Sequence, residues 1–362
     1  MKPQILALYL PQFHPFPEND EWWGKGFTEW TNVGKAKPLF KGHYQPRVPA
    51  DLGYYDLRLP IIREQQAELA REAGVTAFCY WHYWFAGRRL LADVFQEVLD
   101  SGKPDFPFCF AWANHTWRAV GCTSGDERPD ILMEQTYPGI EDAKAHMRYL
   151  LTAFKDNRYV KIDGKPYLFI FDPIQLPQLY VDTFQQMAKD AGFPGLYLVA
   201  NLNNNAIKPK EMIAKGYSAV TYCDMLGHTK NGETFWDKVK KNVNAKIYNR
   251  PKNFHEYKDV YPSYITEIDQ DEHVIPQIVP QWDHSPRGGN KTLILHNSTP
   301  EYFAKHVHEA MEAIKNKPAN QQILMLKSWN EWAEGNYMEP DLKFGKGYIE
   351  ALHEVLEEYK DK

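Results

Sequence analysis

Short apolar runs and segments of helical periodicity alternate along the whole chain. The apolar runs are nearly continuous, as in parallel strands that are buried on both faces. The eight predicted strands are residues 4–10, 75–84, 106–114, 166–172, 196–202, 219–224, 275–282 and 323–329. Apolar residues recur at helical spacing between them, which predicts helices at 58–73, 89–101, 141–155, 178–191, 206–215, 300–316 and 347–360.

This alternation predicts an α/β fold, specifically a single (β/α)8 TIM barrel over residues 1–362. An open doubly wound sheet is the alternative, but no Gly-x-Gly-x-x-Gly and no phosphate loop follows any predicted strand. Two long insertions interrupt the alternation. Residues 11–56, rich in Pro, Trp, Tyr and Gly, are predicted to form a non-helical loop after the first strand. Residues 225–273 are predicted to form a loop or a small helical lid after the sixth.

The composition narrows the class of ligand. The chain has 362 residues and a net charge of −5, which gives no electrostatic reason to expect nucleic-acid binding. Aromatic residues make up 14%, with 11 Trp and 22 Tyr, and they favour a ligand with flat apolar faces, such as a carbohydrate. No apolar run reaches the ~18 residues of a membrane span. The N-terminus enters a strand almost at once, so we expect a cytoplasmic protein, although a trimmed secreted protein would look the same. The oligomeric state is left open.

The segment Ser-Trp-Asn-Glu-Trp-Ala-Glu-Gly at 328–335 carries the strongest chemical signal. It follows the last apolar run, so Glu331 and Glu334 leave a strand end three residues apart, beside Trp329 and Trp332. Paired carboxylates hydrolyse glycosidic bonds, and indole rings stack on sugars. Acidic residues at a helix N-terminus are the alternative interpretation, but it does not explain the two tryptophans.

Other polar and aromatic residues gather where the predicted strands end, which is the face on which TIM barrels carry their sites. Taken singly, each has a structural explanation: His82 or His115 as a packed core histidine, Trp81 or Trp112 as barrel filling, Glu29 as an exposed loop acid. Their joint position on one face favours a binding site. The candidate substrate-binding residues are Tyr9, His14, Glu29, Trp30, Trp81, His82, Trp112, Asn114, His115, Tyr222, Trp282, Asp283, Arg287, Asn330 and Trp332.

A metal site is the competing explanation for such a collection of side chains. No His-Glu-x-x-His and no acidic calcium-loop pattern occurs, although His82, His115 and Asp283 are free to converge in three dimensions. We therefore predict neither a metal nor another cofactor.

Residues 330–335, Asn-Glu-Trp-Ala-Glu-Gly, resemble the motif Asn-Glu-Trp-His-Glu-Gly of the family 99 endo-α-mannosidases, which a further Glu follows, here Glu339. The N-terminal half is more similar to the WbsX-type relatives, often called family-99-like. Their signature is present at residues 9–15, 18–20, 22–30, 80–84 and 110–114. Ala333 stands in place of the motif His, which changes that subsite and leaves mannan specificity open.

The resemblance implies a (β/α)8 barrel that acts on polysaccharide without a metal, and retains anomeric configuration. If the family's roles apply to the matching residues here, Glu331 would be the base that takes the proton of the sugar 2-hydroxyl. The oxygen of this hydroxyl then closes onto the anomeric carbon to form a 1,2-anhydro intermediate. Glu334 would be the general acid and then the base that activates water. This assignment requires Glu334 to be protonated near neutral pH.

Three functions follow as hypotheses. The first is a retaining glycoside hydrolase, possibly of an α-mannoside-like substrate, which uses Glu331 and Glu334. The second is a glycosyltransferase of surface-polysaccharide biosynthesis, the O-antigen or capsule role given to WbsX-type proteins; the lack of a Gly-rich strand-to-helix turn counts against its nucleotide-sugar form. The third is a non-catalytic glycan-binding barrel.

Overall fold

Eight parallel strands form the centre of the molecule in the computed structural model, which describes residues 3–119, 130–203, 206–223, 250–251 and 253–360. In sheet order, each strand from β1 to β6 pairs with the next, and β1 also pairs with β8, which pairs with β7. A parallel bridge between Val220 and Val274 closes the remaining gap. The strands are β1 Gln4–Tyr9, β2 Ala77–Phe85, β3 Phe108–Trp112, β4 Lys165–Ile170, β5 Tyr197–Leu202, β6 Ala219–Tyr222, β7 Gln277–Ile278 and β8 Ile323–Leu326. This confirms the predicted (β/α)8 barrel.

Helices follow the strands and cover the outside of the barrel. Gly74 ends the first of them with φ +85°, as its position in the sequence predicted, and a Cβ there would lie 2.7 Å from Leu356 Cδ1. The barrel helices are Pro60–Ala73, Ala92–Ser101, Ile140–Phe154, Gln178–Asp190, Pro209–Ile213, Pro300–Ile314 and Gly347–Glu358. Each has an apolar face on the sheet, and no helix in the described ranges is long and apolar enough to cross a membrane.

The seventh strand is shorter than predicted. Residues 275–282 do not form one strand, because Trp282–Asp283 leaves the barrel and pairs with Ile294–His296. Phe254–Glu256 completes this small three-stranded sheet. The rearrangement matters for the site, because it aims Trp282 and the residues after it at the carboxyl ends of the strands.

The first insertion is wrongly predicted as non-helical, because it holds the helices Pro17–Trp23 and Glu29–Lys35. Pro17 starts one helix, and the Thr28 side chain caps the other by accepting from Trp30 N at 3.2 Å. Of the second insertion, residues 224–249 and 252 lie outside the described residues. The remaining short elements of the described ranges are the strands Arg88–Leu90, Trp117–Arg118, Ile131–Met133, Lys161–Ile162, Asn330–Glu331 and Asn336–Tyr337, and the helical turns Tyr257–Val260, Tyr261–Ser263, Glu267–Gln270, Ser285–Gly288, Gly289–Lys291, Ala319–Gln321 and Trp332–Glu334.

Candidate active site

A cavity of about 680 Å³ opens at the carboxyl ends of the strands. This size suits a small ligand or part of a chain, and the position is where TIM barrels carry their sites. It brings together seven of the predicted residues: Glu29, Trp81, His115, Trp282, Arg287, Glu331 and Glu334. The prediction from sequence missed other residues of the lining, among them Trp23, Tyr83, Trp117, Phe171 and Lys327.

Arg287 holds three carboxylates together at the floor of this cavity. Its Nε and Nη2 atoms donate to Glu29 Oε2 at 3.1 and 2.9 Å. Its Nη1 atom donates to Glu334, and Nη2 reaches Glu331 Oε2 at 3.5 Å. Glu29 is only 4% exposed, so it is a buried member of the cluster and not an exposed loop acid. One guanidinium therefore brings the two motif carboxylates within reach of the same bound molecule.

The backbone after β8 fixes the spacing of the two carboxylates. Asn330–Glu331 pairs with Asn336–Tyr337 in a two-stranded ladder, and Trp332–Glu334 forms the turn between them. Gly335 ends this turn at φ +55°, where a Cβ would lie 2.8 Å from Asp283 Cβ and 2.9 Å from its backbone. Only glycine fits so close an approach, which explains the Gly at the end of the motif.

The two motif carboxylates have opposite pKa shifts. Burial, and then the charge of Glu334, raise the pKa of Glu331 above its usual range. Burial also disfavours the charged form of Glu334, but Arg287 and His284 outweigh it and lower the pKa of Glu334. Glu331 is thus the protonated member of the pair near neutral pH. This is the reverse of the protonation that the carried-over roles require.

Aromatic side chains form the wall next to Glu331. Trp81 Nε1 donates to Glu331 Oε1 at 3.1 Å, and the indole packs edge-on against Phe169 and Phe171 at 5.9 and 5.8 Å. His115 lies against Phe171 at 4.7 Å, and burial lowers its pKa, which leaves it neutral. The wall therefore offers ring faces beside one polar carboxyl group, as sugar binding requires.

Three of the predicted residues lie on the other side of the sheet. His82 Nε2 lies 2.8 Å from His146 Nε2, and burial lowers its pKa to about 3. The Trp112 ring packs 4.4 Å from His146, and Tyr9 donates to Gln66 Oε1 at 2.7 Å. His82, Trp112 and Tyr9 are wrongly predicted to line the cavity, because successive strand side chains alternate between the two faces. Trp81 faces the cavity, so His82 faces the helices.

The two tryptophans of the motif also lie outside the cavity. Trp329 and Trp332 are 0% and 1% exposed, so they cannot stack on a sugar. Trp332 Nε1 donates to Glu339 Oε2 at 2.6 Å, and its ring packs against Trp30 at 5.5 Å. Trp332 is therefore wrongly predicted as a binding residue, and Trp30, which packs against it, does not line the cavity. Glu339 does not line the cavity either; it contacts the motif through the hydrogen bond from Trp332.

Polar residues at the strand ends mostly tie loops together. Asn114 donates to the Asp172 carbonyl at 2.8 Å and accepts from its N–H at 2.7 Å, which joins the ends of β3 and β4. Asp283 accepts from Gln45 Nε2 at 2.7 Å and pairs with His43 Nε2 at 2.8 Å. Asn114 and Asp283 thus hold the frame of the site and do not line the cavity.

His14 and Tyr222 do not line the cavity either. His14 Nδ1 donates to the Pro15 carbonyl at 3.0 Å, and the residue is 4% exposed. Tyr222 donates to the Ile207 carbonyl at 2.8 Å, which joins the end of β6 to the segment after β5.

Asn330, which does not line the cavity, joins the segment that carries Glu331 and Glu334 to the end of β1. It accepts from Leu10 N at 2.7 Å and donates to the Leu10 carbonyl at 3.0 Å, with no exposure to solvent. We expect Asn330→Ala to lower the free energy of unfolding by about 3 kcal/mol, because two buried backbone groups lose their partner. Urea denaturation measures it. Asn320→Ala, which removes an exposed amide that bonds Asp163, should change it by less than about 0.5 kcal/mol; an equal effect of the two substitutions would contradict this account.

Metal-binding donors do not gather in the described ranges, where no group of three His, Cys, Asp or Glu residues has a suitable arrangement. The candidates His82, His115 and Asp283 are held apart by the different partners described above. His284, which sequence reasoning did not select, instead lies 3.6 Å from Glu334.

The fold is shared with a family 99 glycoside hydrolase. The chain superimposes with a TM-score of 0.58 on the GH99 endo-α-mannosidase from Bacteroides thetaiotaomicron, at 14% identity over 99% of this chain and 98% of that one. A second solved structure, described as a glycoside hydrolase-like protein, gives a TM-score of 0.58 at 16% identity over 98% of this chain and 94% of that one. At such low identity these similarities establish the fold.

The family model described as Glycosyltransferase WbsX matches residues 5–352, so the chain belongs to the WbsX family. Two curated relatives are proteins called WxcX and described as uncharacterized, from Xanthomonas campestris pv. campestris strains B100 and ATCC 33913. They are 31% and 32% identical over 97% of this chain. The chain spans about half the length of these relatives, 49% in each case.

Proposed function

We propose that this chain is a glycoside hydrolase that cleaves a polysaccharide or glycan with Glu331 and Glu334. The observation that carries the proposal is the carboxylate pair on Arg287, in an aromatic-walled cavity at the carboxyl ends of the barrel strands. Two carboxyl groups with separated pKa values supply an acid and a base to one glycosidic bond. The fold shared with the family 99 endo-α-mannosidases supports the reaction type.

We assign the roles from the electrostatics of the pair. Glu331, whose pKa is raised, donates its proton to the leaving glycosidic oxygen. Glu334, kept ionised by Arg287, removes the proton of the sugar 2-hydroxyl, whose oxygen closes onto the anomeric carbon. Water then opens the 1,2-anhydro ring: the Glu331 carboxylate takes a proton from the water, and Glu334 returns its proton to the 2-oxygen. Configuration is retained, and the roles of the two residues are reversed relative to those of family 99.

The dependence of the rate on the leaving group distinguishes these roles of Glu331 and Glu334 from the exchanged roles. With Glu331→Gln we expect cleavage of a natural glycosidic bond to fall by about 10²–10⁴-fold, because the leaving oxygen is no longer protonated. The kcat/KM of Glu331→Gln on a dinitrophenyl glycoside or glycosyl fluoride of the same sugar should be spared, because kcat/KM covers only the first step and these leaving groups need no proton. Steady-state kinetics on both substrates measure the effect. If Glu334→Gln instead kept its activity on these activated substrates, Glu334 would be the acid and Glu331 the base.

A glycosyltransferase is the second candidate, which the description of the family model favours. The acidic tripeptide at 269–271, Asp-Gln-Asp, is the sequence feature that such an activity would use. However, Asp269 accepts from Thr266 N at 2.9 Å, and Asp271 accepts from His273 N at 2.8 Å. Neither carboxylate lines the cavity. Calorimetric titration with sugar nucleotides tests this candidate, and transfer of their sugar to an acceptor would replace the hydrolase proposal.

A further inference from the structure

Among the described residues that line the cavity, positive side chains outnumber negative ones, although the chain has a net charge of −5. Three carboxylates line it, and four cationic side chains do: Lys35, Arg118, Arg287 and Lys327. Since Glu331 is the protonated member of its pair, it adds no negative charge to the cavity near neutral pH. The protein therefore presents a local positive field at an opening in a negatively charged molecule, and such a field attracts anions.

The cations of the cavity differ in how they are paired. Arg287 is fully engaged by carboxylates, as described above. Lys327 is not: its Nζ lies 2.6 Å from Cys223 Sγ, and across the described ranges no carboxylate oxygen lies within 4.0 Å of it. Burial favours its neutral form, but Cys223 and the carboxylate of Glu334 outweigh this and raise the pKa of Lys327. An ammonium group with three N–H donors is thus held charged beside the cavity, and one thiol uses only one of them.

The Trp282 indole is the surface beside this ammonium group. Lys327 Nζ lies 5.2 Å from the centre of the Trp282 ring, and both residues line the cavity. Lys327 therefore offers N–H donors next to an indole on which a sugar can stack. This combination suits oxygen atoms that carry negative charge better than it suits neutral hydroxyl groups.

We propose that the sugar unit that binds beside Trp282 carries an anionic substituent, a carboxylate or a phosphate, and that Lys327 binds this substituent. The proposal rests on the function proposed above, because it names the substrate class of the same cavity. A neutral sugar would leave the Lys327 ammonium group without an anionic partner on the ligand. An acidic sugar supplies that partner, and its ring lies on the neighbouring indole.

Oligosaccharides that contain uronic acids, paired with their carboxyl-reduced counterparts, test the proposal by calorimetry. Carboxyl reduction keeps the ring and its hydroxyls and removes only the charge. We expect it to weaken binding to the wild-type protein by about tenfold to a hundredfold, the range for a hydrogen bond to a charged group. Lys327→Met should weaken binding of the acidic oligosaccharides by the same factor, and should leave the affinity for the reduced ones unchanged. Phosphorylated oligosaccharides and their dephosphorylated counterparts form a second arm, which separates phosphate from carboxylate.

Lys343→Met is the matched control. Lys343 also places an ammonium group over aromatic rings, 4.8 Å from Tyr44 and 4.5 Å from Phe344, but it does not line this cavity. Its substitution should leave every affinity unchanged. Equal affinity of the wild-type protein for charged and uncharged oligosaccharides would overturn the proposal. An equal loss of affinity for both kinds of oligosaccharide in Lys327→Met would also overturn it. So would binding of sugar nucleotides alone, or a failure of every anionic oligosaccharide to bind.

Failure of this proposal and failure of the hydrolase proposal give different results. Charge-dependent binding without cleavage would remove the hydrolase and keep the anionic subsite. Cleavage of neutral oligosaccharides at a rate that Lys327→Met does not change would keep the hydrolase and remove the subsite.

Discussion

Replacement of Glu334 by Gln is expected to lower kcat on a cleaved glycan by about 10³-fold or more. Arg287 and His284 hold this carboxylate ionised, and in our account the reaction needs its negative charge to accept the proton of the sugar 2-hydroxyl. The neutral amide has the same shape and still accepts from Arg287, so the fold should be kept. Steady-state kinetics together with a thermal melting curve measure both effects.

Glu301→Gln is the control for this substitution, because it neutralises a carboxylate that is 75% exposed and lies outside the cavity. It should leave kcat unchanged. A Glu334→Gln protein with wild-type kcat would remove Glu334 from the mechanism. A large fall in melting temperature would show that the loss of activity is a loss of structure.

Replacement of Arg287 by Met is expected to affect both stability and activity. Three carboxylates lose their shared cation, so the free energy of unfolding at neutral pH should fall by about 3 kcal/mol. Arg287 lowers the pKa of both Glu334 and Glu331, so its removal should raise both. The base is active only when it is ionised and the acid only when it is protonated. Both limbs of the pH–rate profile should therefore move to higher pH, while kcat falls at every pH.

The pH–rate profile and urea denaturation of Arg287→Met test this prediction. Arg58→Met is the matched control, because Arg58 binds the Asp56 carboxylate at an exposed position, with 60% of the Arg58 side chain accessible. It should change the free energy of unfolding by less than about 1 kcal/mol. An unshifted profile in Arg287→Met would show that another group sets the protonation of the pair.

The sequence predicted the barrel because strands buried on both faces leave a continuous apolar signal. Ile323–Leu326 is such a strand, and it pairs with both β1 and β7 as a member of a closed sheet. The ends of strands were less predictable. Nothing local distinguishes Gln277–Ile278 from Trp282–Asp283, and only the pairing of the latter with Ile294–His296 draws it out of the barrel. The short helices of the first insertion do have local signals in the sequence, namely Pro17 and the Thr28 cap.

The carboxylate pair was predictable from the motif, but the neighbours of the pair were not. Residues adjacent in sequence on a strand end point in opposite directions, so Glu331 faces the cavity while Trp332 packs against Tyr337 at 3.8 Å. Arg287 joins Glu29 only through tertiary contacts between segments more than 250 residues apart, which no local pattern encodes. Lys327 did leave a signal: a lysine directly after a buried apolar strand is unusual unless it has a role.

Incubation of wild type and Glu334→Gln with a panel of polysaccharides, in water enriched in heavy oxygen, tests the central claim most directly. Mass spectrometry then reads the products. The account predicts new oligosaccharides from the wild type alone, each with one heavy oxygen at its new reducing end, because water opens the intermediate at the anomeric carbon. Products in equal amount from Glu334→Gln, or no product from any glycan, would contradict hydrolysis at this carboxylate pair.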